Sequence, residues 1–178
     1  MGFDHAMFNK LIPDDIRPDI YSIDYGRLRA EKIEGLIFDI DNTLVAYRTE
    51  RADGRLIDFL KNLQSVGFRI CFISNNSAKR VDLFNEDFNF FTCAKANKPS
   101  SKALCRALSS LGLSADKAVL IGDQLFTDVL AAKRANMKSI LVNPVEPVES
   151  MFFRIKRLGE KPFKRVYYRR KRKEGTKP

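Results

Sequence analysis

Two aspartates stand two residues apart in Phe38-Asp39-Ile40-Asp41-Asn42-Thr43-Leu44, directly after a short apolar run. In an extended chain this spacing turns both carboxylates to one side and Ile40 to the other. A carboxylate so placed can act as a nucleophile on phosphorus, forming an aspartyl-phosphate and splitting one hard hydrolysis into two easier steps. Two carboxylates also repel each other and any incoming phosphate: like charges about 4 Å apart cost ~4 kcal/mol at an effective dielectric of 20. The pair therefore needs cations. Mg²⁺ fits, being a hard ion that combines carboxylates, waters and a substrate phosphate. Three more polar clusters follow: Ser74 in Ser74-Asn75-Asn76-Ser77, Lys98 before Pro99, and Gly122-Asp123-Gln124-Leu125-Phe126-Thr127-Asp128. Singly, each has an ordinary reading as a capping turn, a surface lysine, or an acidic residue favoured by a helix dipole.

What joins them is the pattern of elements around them. Short apolar runs alternate with helical stretches, which points to βαβ units and a parallel sheet covered on both faces. Gly35 to Ile40, Phe68 to Ser74, Phe90 to Ala94, Val119 to Ile121 and Ser139 to Val142 read as strands. Between them, Leu56, Ile57, Leu60 and Leu63 after Asp53-Gly54, then Val81 and Phe84 after Ser77, then Leu104, Ala107 and Leu108 have helical spacing. Asp128 to Ala135 reads as another helix. Each polar cluster falls at the carboxyl end of a predicted strand, the rim where open parallel sheets bind ligands.

The ordered set D-x-D-x-T-L, strand-end Ser, Lys and G-D-x-x-x-x-D resembles the haloacid dehalogenase-like (HAD) hydrolase superfamily over roughly Ile33 to Pro144. The resemblance implies a three-layer Rossmannoid α/β fold and a Mg²⁺-dependent phosphomonoesterase. Under it, Asp39 is nucleophile and metal ligand, Asp41 is acid and base and lends its backbone carbonyl to the metal, and Asp123 completes the ligands. Ser74 and Lys98 contact the phosphoryl group, joined by donors at Asn42, Thr43 and Asn75, while Asp128 supports Lys98 or the metal. Such enzymes often carry a cap domain after the first or second motif; the short intervals here leave no room for one, as in the capless third subclass (IIIA), whose open site admits large or anchored substrates. GLIFDIDNTLV, ISNN followed by Arg80-Val81, Lys98-Pro99, GDQLFTD and LVNP are similar to the YqeG-type branch, which includes phosphatidylglycerophosphate phosphatases. A lipid-linked phosphomonoester is the substrate that resemblance implies.

At 178 residues the chain suits one domain with a full core. The expected divisions are an N-terminal wrapping segment, 1–32, the core, 33–147, a basic amphipathic helix, 148–160, and a flexible basic tail, 161–178. Three cysteines without C-x-x-C spacing favour small core residues over disulfides or zinc. His5 has no second ligand nearby and reads as solvated. No apolar run reaches the ~20 residues that cross a bilayer, and no signal peptide is visible, so a cytoplasmic protein is expected, peripheral to the inner membrane face if the basic segment binds there. The charge of +10 is confined to the end: from Arg154 onward there are 12 basic and 2 acidic residues, and the chain before it is balanced. That segment fits an anionic membrane through residues 148–178. The alternative is nucleic acid, since Tyr167-Tyr168-Arg169-Arg170-Lys171-Arg172-Lys173 interleaves stacking with charge; the domain would then act on soluble, nucleotide or RNA-linked phosphomonoesters.

Overall fold

The computed structural model describes residues 11–146 and 151–173, the side chains of 151–158 excepted. His5, the start of the amphipathic segment at Val148 and residues 174–178 lie outside the described residues. Six parallel strands form the sheet: β1 (Asp15–Arg17), β2 (Gly35–Asp39), β3 (Arg69–Ile73), β4 (Phe91–Cys93), β5 (Ala118–Gly122) and β6 (Lys138–Val142), in the order β1-β6-β5-β2-β3-β4. Burial of β2 and β5 at every position explains why both read as continuous apolar runs rather than alternating ones. One face carries α1 (Tyr25–Ala30), α2 (Gly54–Ser65) and α3 (Ala78–Asn85), whose Leu28, Leu56, Leu60, Val81 and Phe84 pack on Leu36, Phe38 and Phe72. The other face carries α4 (Lys102–Leu111) and α5 (Leu130–Arg134), packed on Ile37, Cys71 and Leu120. This is a Rossmann-like three-layer α/β fold.

The helix starts follow the capping chemistry of the sequence. Asp53 accepts the Leu56 amide at 2.8 Å and Ser77 the Arg80 amide at 3.3 Å, satisfying donors that an α-helix leaves open. Between β5 and α5 the chain is less regular: Leu125–Val129 forms a π-helical turn before the helix settles at Leu130. Such turns are rare and cluster at functional positions.

Three expectations are corrected. The N-terminal stretch does not merely wrap the core, because Asp15–Arg17 adds an edge strand alongside Ile140–Val142. A strand of three residues is too short to show a period. The tail is not flexible through its length: α6 runs Met151–Lys173 and buries Phe163 and Tyr167 against the β1 and β6 edge. Phe126 meets Phe163 edge-on at 6.0 Å, and the Tyr167 hydroxyl donates to Asp15 at 2.7 Å. Of the cysteines, Cys71 and Cys93 are core residues, but Cys105 is exposed on α4.

Candidate active site

Strand order gathers the polar clusters. The order in which strands are added reverses at β2, which has β3 and β5 as neighbours, so the loops after β2, β3 and β5 open onto one crevice. Asp39 ends β2, Ser74 follows β3, and Asp123 follows β5. The loop after β4 brings Lys98 in from the side, clipped by Asn75: the Asn75 side chain accepts the Lys98 amide at 2.8 Å and donates to the Lys98 carbonyl at 3.3 Å.

The floor of the crevice is charged and buried. The Lys98 ammonium lies 2.5 Å from Asp39 Oδ1 and 2.6 Å from Asp128 Oδ1, while Thr43 donates to Asp39 Oδ2 at 3.2 Å. Asp39, Lys98, Asp123 and Asp128 are all buried. Burial pushes the Asp39 carboxyl well above the usual range; Lys98 opposes this, and the charges of Asp128 and Asp123 add to it. Burial disfavours the Lys98 ammonium, but Asp128 and Asp39 outweigh it and raise its pKa. Oxygens of Asp39, Asp123 and Asp128 come within 4.8 Å of one another, and the Lys98 ammonium pairs with two of the three carboxylates, Asp39 and Asp128. An oxygen-only cluster with excess negative charge is the donor set a hard divalent cation takes.

Gly122 is required for this packing, since a Cβ there would lie 2.5 Å from the Asp128 carboxyl carbon. With the side chain absent, Asp128 folds back over the strand end and accepts the Gln124 amide at 3.0 Å.

On the outer wall Asp41 and Arg80 are half-buried while Ser74 is buried, and the charge is neutralised differently. Ser74 donates to Asp41 Oδ2 at 2.8 Å, and the Arg80 guanidinium lies 3.3 Å from Asp41 Oδ1. Arg80 also donates to the carbonyls of Thr49 at 2.5 Å and Glu50 at 3.1 Å, fastening the segment after Thr43 to the start of α3.

Over 150 residues the chain is 36% identical to the "Probable phosphatase YqeG" of Bacillus subtilis, covering 84% of this chain and 87% of that protein. It belongs to the HAD-like phosphatase family. A family model described as "HAD-hyrolase-like" matches residues 95–144, the stretch from Lys98 through Asp128 to the end of β6. Phosphatidylglycerophosphate phosphatase 1 of Chlamydomonas reinhardtii, a chloroplastic protein, is 25% identical over 143 residues, covering 75% of this chain and about half (53%) of its own length. Among solved structures, CbbY of Rhodobacter sphaeroides superposes with a TM-score of 0.53 at 14% identity, over 67% of this chain and 90% of that one. NagD of E. coli K-12 does so at 0.51 and 16%, over 68% and 91%. These likenesses show the fold. A HAD phosphatase with only a short segment between Thr43 and α2 agrees with the capless subclass.

The structure brings Asp39, Asp41, Thr43, Ser74, Asn75, Lys98, Asp123 and Asp128 of this family member to one crevice. Asn42 goes elsewhere. Its φ of 67° turns the chain, its amide donates to Val45 at 2.7 Å, and its side chain pairs reciprocally with the Glu146 backbone at 3.1 and 3.2 Å. Asn42 therefore clips the loop after β6 to the catalytic turn. Two residues escaped the motif reading. Arg80 was visible only as part of a branch motif, and Glu160, buried beneath the Asp123–Asp128 loop, lay in a segment read as surface.

Proposed function

We propose that this HAD phosphatase is a divalent-cation-dependent phosphomonoesterase working through an aspartyl-phosphate on Asp39, with phosphatidylglycerophosphate as substrate and phosphatidylglycerol as product. The observation that carries the catalytic reading is the buried cluster of Asp39, Asp123 and Asp128, two of which pair with the Lys98 ammonium. Asp39, Asp123 and the Asp41 carbonyl would hold Mg²⁺, which supplies charge neutralisation for the carboxylates and the phosphoryl oxygens together.

Asp39 attacks phosphorus, the ester P–O bond breaks, and the leaving alkoxide takes a proton from the Asp41 carboxyl. Asp41, now ionised, removes a proton from water; the water oxygen bonds phosphorus, the Asp39 acyl-phosphate bond breaks, and phosphate leaves. Lys98 fixes Asp39 Oδ1 for attack and faces the developing charge. Ser74, tied to Asp41 in the resting site, gains a phosphoryl oxygen as alternative acceptor, and its departure frees Asp41 Oδ2 to carry the proton.

The lipid assignment draws on the Chlamydomonas relative and on the open crevice. The far basic end of α6 does not add to it. Glu160 touches the loop at the carboxyl rim, whereas Lys171 lines a cleft with Lys138, Ser139 and Asp14 at the amino ends of β6 and β1. A strand of this length separates the two by about 17 Å. Among the described residues no helix is long and apolar enough to cross a membrane.

The test is Mg²⁺-dependent phosphate release from phosphatidylglycerophosphate in anionic vesicles, beside p-nitrophenyl phosphate, nucleoside monophosphates and 5′-phosphorylated RNA, for wild type and Asp39→Asn. Preference for the lipid, with Asp39→Asn folded and inactive, is the expected result. Preference for the soluble or RNA substrates overturns the lipid assignment and keeps the mechanism; an active, metal-independent Asp39→Asn overturns the mechanism.

A further inference from the structure

Glu160 is a buried carboxylate that the reaction does not use, and only 2% of its surface is exposed. Oε1 accepts the Leu125 amide at 3.1 Å and Oε2 lies 3.4 Å from the Lys164 ammonium. Leu125 opens the π-helical turn between Asp123 and Asp128. The amide before it, on Gln124, goes to Asp128. Two successive amides of the loop are thus held by two carboxylates, one from the loop itself and one from α6.

Burying a charge costs free energy that a polar neutral or apolar residue would not. The surrounding helix gives up further stability at the same place. Gly159 and Pro162, the poorest helix formers, flank the contact. At Gly159 the helix passes next to the turn, where a Cβ would sit 3.4 Å from the Phe126 ring, an ordinary van der Waals contact. Local rules broken together around one buried contact mark a place where function has set the residues.

We propose that Glu160 is a positioning residue for the cation site: by holding the Leu125 amide it fixes the loop that carries Asp123 and Asp128, and α6 is thereby a working part of the phosphatase core. This rests on the reading that Asp39, Asp123 and Asp128 face a divalent cation. Full-length, metal-stripped protein is titrated with Mn²⁺ while the free-ion EPR signal is followed, alongside amide exchange at Leu125 and hydrolysis of p-nitrophenyl phosphate at varied Mg²⁺. Glu160→Ala is expected to weaken Mn²⁺ binding about tenfold, the scale of one hydrogen bond to a charged group. Leu125 exchange speeds up, and excess Mg²⁺ restores much of the lost rate. Glu160→Gln, which keeps an acceptor at the same reach, recovers most of the loss, whereas Glu160→Asp, shorter by a methylene, does not. If Glu160→Ala fails to fold, the order of the Gln and Asp variants still decides: binding better in Asp than in Gln overturns the proposal. A lowered Tm with unchanged Mn²⁺ binding also overturns it, leaving Glu160 a packing residue. Failure of the cation reading shows separately, as absence of Mn²⁺ binding by the wild type.

Discussion

Asp39 and Asp41 leave the same strand two residues apart, yet they sit in unlike surroundings. Asp39 lies on the buried floor, on the last residue of a central strand, against an ammonium that is itself buried and shared with Asp128. Asp41 stands beyond the strand end on the half-buried wall, held by a serine hydroxyl and by a long arginine from a helix. The first set is fixed by backbone that cannot move without disturbing the sheet. The second is fixed by donors that can be exchanged. That division suits the chemistry proposed for each: a nucleophile gains from a fixed line of attack, whereas an acid and base must gain and lose a proton in turn.

The hardest test of this contrast falls on the floor. Lys98→Met removes the ammonium and leaves Asp39, Asp123 and Asp128 facing one another. Breaking a buried ion pair from one side costs about 3–5 kcal/mol, so the metal-free variant should melt well below the wild type, with Mg²⁺ recovering part of the difference. Turnover on a soluble phosphomonoester should fall on the order of 10³-fold, because a preorganised cation at the reacting group is lost. A Lys98→Met protein with near-normal melting and rate would remove the distinction between floor and wall.

On the wall, Ser74→Ala should cost about 10²-fold in kcat, in the range found for one donor to a developing oxyanion. Metal-free stability should hardly change, since Asp41 keeps Arg80 and can meet water. Steady-state kinetics and thermal melts on the same preparation check both halves. A large fall in Tm would mean that the wall is as rigid as the floor.

How far this site could be read from the chain follows the same division. Asp39, Ser74 and Asp123 each come at the end of a buried apolar run, and a parallel sheet must place such ends on one rim, so their meeting was legible. Asp39-Ile40-Asp41 was legible too, from the alternation of an extended chain. Arg80 was not, because its tie to Asp41 joins a first helical turn to a loop, and no period connects the two. The clip that Asn42 makes was not legible either, because its positive φ and its pairing with Glu146 are tertiary facts. In α6 the stripe Glu160, Phe163, Tyr167 has helical spacing, yet Gly159, Pro162 and the crowd of basic residues broke it in two, an amphipathic helix ending at Glu160 and a flexible tail beyond it. The edge strand β1 was hidden by its shortness.

Arg80 offers the finest probe, because it belongs to the wall by position and to neither set by motif. Its guanidinium reaches the Thr49 and Glu50 carbonyls as well as Asp41, and it lies over the Phe84 ring at 5.6 Å. A planar fork can hold two carbonyls and a carboxylate at once; a single ammonium cannot match that geometry. Arg80→Ala should therefore lower kcat about tenfold, near the value of one hydrogen bond to a charged group, with a smaller change in KM. Arg80→Lys should fall between the two, and added guanidinium should restore part of the Ala variant's rate. The logic is that Arg80 steadies Asp41 and the loop beside it without touching Asp39. If the Ala variant instead fell as far as Lys98→Met and guanidinium did nothing, Arg80 would be holding the floor in place through the loop, and the wall would lose its independence.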